Sequence, residues 1–221
     1  MALVEEIFNI IAPHECLGCQ KEGSLLCYDC GNALVAVPPR CYRCGRLSED
    51  SRTCAACRKL TPIHSLWPVT TYRGLPKEIV HRLKFERAKA GAQAMAEVMA
   101  DRVRLEGDWI ITYVPTANNR VRQRGYDQAA LLARSLSRRI SVPFTACLIR
   151  TGVQRQVGSD RAARREQMKD AFRPLHPSLF QGKQVLVVDD VLTTGATCEA
   201  AARTLRRAGA ARVSAAVFAV A

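Results

Sequence analysis

One stretch limits what this chain can fold into more than any other: Val185-Leu186-Val187-Val188-Asp189-Asp190-Val191-Leu192-Thr193-Thr194-Gly195-Ala196-Thr197. Four aliphatic residues in a row, bounded by polar chemistry, are too short for a helix and read as a buried strand. Two carboxylates, Asp189 and Asp190, emerge where that strand is expected to end. A turn of small, hydroxyl-rich residues follows, and then a helical run from Cys198 to Leu205. A strand, a small-residue turn and a helix N-terminus together cradle an anion: orphan N–H groups point outward, the helix dipole favours negative charge, and threonine hydroxyls add donors. The turn lacks the Gly-Lys-Ser/Thr of a Walker loop. Two acids beside a phosphate would repel it unless they serve something else, such as sugar hydroxyls or a bound Mg²⁺.

From Trp67 onward the pattern alternates between strand and helix, which predicts an α/β domain with a mainly parallel sheet and helices on both faces. Strands are expected near 67–73, 110–114, 144–149, 184–189 and 213–219. Helices are expected near 75–85, 88–105, 126–140 and 196–208, with a weaker one near 161–168. Ligands gather beyond the carboxyl ends of such strands. The loops after Val114-Pro115 and after Asp189-Asp190 should therefore face one cleft.

The first of these loops carries Pro115, Thr116, Arg120, Arg122 and Arg124, with a helix expected to begin at Tyr126. Arginine is always charged and forked, which suits phosphate oxygens. These five residues are candidates for a second anion site. A further segment, 150–173, holds seven basic residues against three acids and reads as a mobile basic arm or lid, with Arg155, Arg161 and Arg164 as its candidate contacts. An exposed arginine-rich loop is the plain alternative. The chain carries a net charge of +13, yet residues 1–66 hold seven basic and seven acidic residues, so the whole excess sits beyond them. That favours anionic partners for the second part, phosphorylated metabolites or nucleic acid.

Eight of the ten cysteines form four C-x-x-C pairs: Cys16/Cys19, Cys27/Cys30, Cys41/Cys44 and Cys54/Cys57. In a reducing compartment that spacing means zinc. Eight thiolates hold two structural zincs, and all-cysteine ligation leaves no open catalytic position. Sequential pairing gives two small modules; interleaved pairing gives one cross-braced unit. A short amphipathic helix (Leu3, Ile7, Ile10, Ile11) precedes them, so residues 1–62 are expected to form a helix plus double zinc-ribbon module and 63–221 the α/β domain. Cys147 and Cys198 read as packing residues. No signal peptide or membrane span is evident, so a cytoplasmic protein without membrane insertion is expected.

The segment 185–197 closely resembles the signature of the type I phosphoribosyltransferases. The resemblance implies that Asp189 and Asp190 take the ribose hydroxyls of phosphoribosyl pyrophosphate (PRPP), that Thr193, Thr194, Gly195, Ala196 and Thr197 hold its 5′-phosphate, and that Mg²⁺ accompanies it. Across nearly its whole length the chain resembles the ComF family, a double zinc ribbon followed by a phosphoribosyltransferase domain. Besides the cysteine pairs, Tyr72-Arg73-Gly74, Leu83-Lys84-Phe85, Val114-Pro115, Arg120, Arg124-Gly125-Tyr126-Asp127-Gln128, Gln156, Arg164 and Ala171-Phe172 carry the likeness. Asp127 and Gln167 stand where the family usually has Asn.

Three functions follow as expectations. The first is PRPP binding in a protein of natural competence that handles incoming single-stranded DNA. The second is an active, Mg-dependent transferase of nucleotide metabolism; no stretch announces an acceptor site or a catalytic residue. The third is a ribbon module that docks a partner such as a competence helicase. A zinc with four thiolates is formally about −2, so single-stranded DNA is expected on the transferase half, with Tyr126 offering one face on which a base can stack.

Overall fold

The run Val185-Leu186-Val187-Val188 is wholly shielded from solvent, as an aliphatic strand covered on both faces must be. It lies within β5 (Gln184–Leu192). The computed structural model describes residues 14–85, 88–151 and 171–221. Within them β1 (Ile63–Thr71), β2 (Trp109–Tyr113), β5 and β6 (Arg212–Val220) form a sheet in the order β1-β6-β5-β2, every neighbouring pair parallel. The expected helices appear as α3 (Leu75–Phe85), α4 (Ala88–Ala100), α6 (Gln128–Ile140) and α7 (Ala196–Arg207). Each of three buries one stripe at helical spacing: Pro76, Ile79, Val80 and Leu83 in α3; Ala129, Leu132, Ala133 and Leu136 in α6; Cys198, Ala201, Ala202 and Leu205 in α7.

Because strand side chains alternate between faces, β5 feeds two cores. Leu186 and Val188 join a core with residues of α3, α4 and α6. Val185 and Val187 join one built with α7 and a two-stranded antiparallel sheet, β3 (Leu148–Arg150) with β4 (Phe172–Pro174). Cys147 and Cys198 are buried in this second core, as packing residues should be.

Several expectations change, beginning with the first strand, which runs over Ile63–Thr71 and not 67–73. The strand expected over 144–149 splits: Phe144 makes a single parallel bridge to Ile111, and the chain then leaves the main sheet to build β3. The Cys147 N–H donates to Thr112 Oγ1 (3.1 Å) instead of continuing the ladder. The second long helix stops at Ala100 and not 105, because the chain folds back to bury Val103. The strand expected to end at the acid pair runs on to Leu192, since β6 stays paired with it up to Val220. The arginine loop is a helix, α5 (Asn118–Arg124), closed by Gly125 at φ 79° with its N–H on Val121 O, and α6 begins at Gln128 and not 126. The weak helix near 161–168 and the N-terminal helix lie outside the described residues.

The cysteine-rich part repeats one design. Each half opens on a knuckle, with Gln20 N–H bonded to Cys16 O and Gly45 N–H to Cys41 O, both at 2.8 Å. Each then continues into a short helix entered from its third cysteine, α1 (Tyr28–Asn32) after Cys27 and α2 (Ala55–Arg58) after Cys54. The halves straddle β1, the edge strand of the sheet. Leu25 and Leu26 of the first are buried in the α3/α4/α6 core, while Tyr42 of the second packs on the α7 core. Between them the chain bonds the free edge of β1: Ala36 bridges Thr70, Arg52 bridges Ser65, and Thr53 N–H donates to His64 O. An edge that would otherwise invite pairing with another chain is covered.

Candidate functional site at the carboxyl edge of the sheet

All four parallel strands end on one edge, and most of the candidate residues gather there. Strand β2 stops at Tyr113, opposite Val188. Asp189 and Asp190 are therefore the first residues of β5 with β6 on one side and no strand on the other. The acids do not share a face. Asp190 follows the parity of Leu186 and Val188, is buried, and meets Lys84 from the last turn of α3, with Nζ 2.8 Å from its Oδ2. Asp189 follows the parity of Val185 and Val187 on the α7 side and is half-buried. Burial, then the neighbouring Asp190 carboxylate, pushes the Asp189 carboxyl well above the usual carboxylate range. Its Oδ1 accepts the Asp190 N–H (2.9 Å).

The turn Thr193–Thr197 leads into α7. Gly195 adopts φ 77°, the left-handed region that favours glycine, and is the residue from which α7 starts. The side chain of Thr194 accepts the Ala196 N–H at 3.4 Å, while Thr193 and Thr194 remain exposed. The ring of Tyr42 from the second ribbon covers Gly195: a Cβ placed there would meet it at 3.4 Å. The Tyr42 hydroxyl reaches Thr61 and donates to Glu199 Oε1 (2.8 Å), and Arg43 Nη1 donates to the same oxygen (2.7 Å). Burial raises the Tyr42 phenol well above its ordinary value, which keeps it a hydrogen donor.

On the β2 side, Pro115 is buried and Thr116 is tied down. Thr116 donates its N–H to Asp127 Oδ2 (2.8 Å) and its hydroxyl to Asp127 Oδ1 (3.0 Å). Asp127 also caps α6, accepting the Ala129 and Ala130 N–H groups. The charge that Asp127 brings in place of Asn is thus absorbed by a helix N-terminus. Because residues 118–124 are helical, the alternate arginines do not form a row. Positions two apart differ by about 200° and positions four apart by about 40°, so Arg120 and Arg124 share a face and Arg122 takes the other. Arg120 and Arg122 are exposed, whereas Arg124 donates to Gln128 Oε1 (2.8 Å) and sits 5.0 Å from the Phe85 ring centroid. Tyr126 is half-buried, with its hydroxyl donated to Leu83 O (2.8 Å). The end of α3, residues 83–85, thereby contacts both the acid pair and the arginine helix. From the sequence, Lys84 stands out only within the Leu83-Lys84-Phe85 likeness, with no place at the site; its signal was a lysine closing an amphipathic helix that must end at the ligand edge. Arg155, Arg161 and Arg164 lie outside the described residues.

The eight ribbon cysteines form two sequential groups, Cys16/Cys19/Cys27/Cys30 and Cys41/Cys44/Cys54/Cys57, each with all sulfurs within 4.8 Å of one another. A tetrahedron with Zn–S of about 2.3 Å has an edge of about 3.8 Å. Cys19 Sγ to Cys27 Sγ is 3.6 Å and Cys44 Sγ to Cys54 Sγ is 3.7 Å, so the donors fit zinc. Against the upward push of burial, backbone N–H groups draw the Cys16 and Cys41 thiols down to about 6, whereas the Cys27 sulfur pushes Cys30, and burial pushes Cys57, up to about 12. Four sulfurs crowded together cannot all ionise without a cation between them.

Two family models match the sequence, a double zinc ribbon domain over residues 7–58 and a phosphoribosyl transferase domain over residues 126–220. The chain is 32% identical over 200 residues to the DNA utilization protein YhgH of Escherichia coli K12, covering 85% of this chain and 87% of that protein. It is 29% identical over 208 residues to competence protein F of Haemophilus influenzae (88% and 85%), and 27% identical over 203 residues to competence protein ComFC of Bacillus subtilis (86% and 81%).

Proposed function

Since the chain belongs to the ComF family, a double zinc ribbon joined to a phosphoribosyltransferase domain, we propose that it binds PRPP at the carboxyl edge of the sheet and acts in the handling of DNA during competence. The observation that carries this reading is the convergence at that edge: an acid pair at the point where β5 loses β2, a threonine turn opening the N-terminus of a twelve-residue helix, and Lys84 brought to the acids by α3. The turn offers orphan N–H groups and hydroxyls to the 5′-phosphate. Asp189 and Asp190 accept from the ribose hydroxyls. Burial and Asp190 make Asp189 costly to ionise without ligand, a cost that a cation arriving with the ligand would relieve. Asp189 and Asp190 would be the carboxylates nearest a Mg²⁺, which would supply charge neutralisation for the pyrophosphate. Lys84, Arg120 and Arg124 supply positive charge for the pyrophosphate, and Arg122 faces elsewhere.

The DNA role rests on the relatives' names and on charge. Two zinc–thiolate sites make the ribbons anionic, so single-stranded DNA belongs to the basic half, with Arg122 among its contacts. No helix of the described residues is long and apolar enough to cross a membrane. Calorimetry with PRPP and Mg²⁺, repeated with a short single strand present, tests both claims. Binding of PRPP that the strand weakens is expected. Absence of PRPP binding removes the first claim. DNA affinity that Arg122→Ala leaves unchanged in salt slope removes the second, since each lost single-strand phosphate contact lowers the slope by about 0.7. Pyrophosphate release with a panel of bases would extend the reading to catalysis.

A further inference from the structure

The two cysteine knuckles are alike in backbone but not in what they carry. The first encloses Leu17 and Gly18, the second Tyr42 and Arg43. Both side chains of the second knuckle end on one oxygen, Glu199 Oε1, at 2.8 and 2.7 Å. Glu199 stands in the first turn of α7, whose N-terminus follows the threonine turn. A carboxylate in that turn enjoys the positive end of the helix dipole, and for the same reason competes with any phosphate bound there. Its side chain is only 17% exposed, so water screens it poorly, and Arg43 supplies the countercharge. The Tyr42 ring meanwhile covers Gly195, the residue on which the turn pivots.

We infer that Tyr42 and Arg43 are positioning residues through which the second metal site sets the affinity of the threonine turn for a phosphorylated ligand, by neutralising Glu199 and seating Gly195. The inference rests on the PRPP reading above and adds a regulator to it. Nothing but these two residues separates Cys41 from Cys44. The knuckle is fixed by Cys41 N–H on Arg46 O and Gly45 N–H on Cys41 O, both 2.8 Å. How the two sulfurs are held therefore dictates where the phenol and guanidinium point. Only the second ribbon lies on the α7 side of β1, so the duplicated modules are not interchangeable: the first packs against the core, and the second reaches the ligand edge.

The test is calorimetry of Mg-PRPP binding to the full-length, zinc-loaded protein at low salt. The variants are Arg43→Ala, Tyr42→Phe, Glu199→Gln and the Arg43→Ala/Glu199→Gln pair, with zinc content measured in each. Uncovering a charge at a helix terminus should weaken binding by roughly twofold to thirtyfold in Arg43→Ala. Glu199→Gln should bind at least as well as the unaltered protein and should restore the double variant. Chelation should weaken the unaltered protein and leave Glu199→Gln less affected. If Arg43→Ala binds normally, the inference fails. It also fails if Glu199→Gln weakens binding as much as Arg43→Ala and rescues nothing, because the contact would then merely staple the ribbon in place. A protein that binds PRPP in none of its forms overturns the function proposed above, and this regulation with it; normal binding that ignores the clasp overturns the regulation alone.

Discussion

Exchanging the two adjacent acids one at a time should move stability in opposite directions. Asp189 has its carboxyl pushed well above the usual range by burial and by Asp190. A carboxyl whose pKa is raised on folding holds more protons in the folded state between its unfolded value, about 4, and its folded value. Its contribution is therefore fully present below the unfolded value and lost as pH rises through the folded one. Asp189→Asn removes that loss, so the variant should be more stable than the parent at pH 8, and the gap should close as pH falls towards 4. Asp190 is different, because Lys84 Nζ lies 2.8 Å from its Oδ2. Unit charges at that separation attract by about 6 kcal/mol at an effective dielectric of 20, most of which desolvation cancels. Losing one partner of a fully buried pair costs about 3–5 kcal/mol. The Lys84 side chain is 22% exposed and can recover water, which brings the expected loss for Asp190→Asn to about 2–3 kcal/mol. In a chain of this size each kcal/mol moves Tm by about 2–4 °C. Thermal unfolding of the ligand-free single variants at pH 8 and pH 5 measures both effects. A fall in Tm at pH 8 for Asp189→Asn, or equal losses for the two, would refute this account of the site.

Metal analysis should find two zincs per chain, and chelation should lower the Tm of the whole protein, because Leu25 and Leu26 of the first ribbon belong to the main core; a separate, ribbon-only transition would contradict this. Removing residues 1–62 strips the cover from β1, so light scattering should show self-association that the full chain lacks. Gly195→Ala places a Cβ on a residue at φ 77° against the Tyr42 ring and should cost about 1–2 kcal/mol, read by urea denaturation, together with a loss of PRPP affinity; an unchanged midpoint would mean that the turn relaxes freely.

Local chemistry is what the sequence could express alone. An aliphatic run flanked by polar residues has one sensible environment, so Val185–Val188 declared a buried parallel strand. The alternation of strand-like and helical runs beyond Trp67 declared an α/β domain with a mainly parallel sheet. Four C-x-x-C pairs declared metal, because thiols at that spacing in a segment short of apolar residues have little else to fold around. Where the elements ended was less legible. Strand β5 runs past its acids because β6 remains beside it, and the arginine segment is helical because Gly125 and the Asp127 cap stop one helix and start the next within three residues. The first outcome depends on a strand distant in the chain; the second is local, set by a turn glycine and a capping acid directly after the arginines. Only the tertiary structure decided that Asp189 and Asp190 serve opposite faces, since parity acquires meaning once α3 and α7 are placed. Only it brought Lys84 to Asp190 across about a hundred residues of sequence. The same is true of the ribbons, whose sequential metal groups were one of two arrangements open to the sequence. That they straddle β1, with Tyr42 and Arg43 against Glu199, follows from burying Leu25 and Leu26 on one face and Tyr42 on the other. A choice of face is made by packing between segments, and no segment encodes it alone.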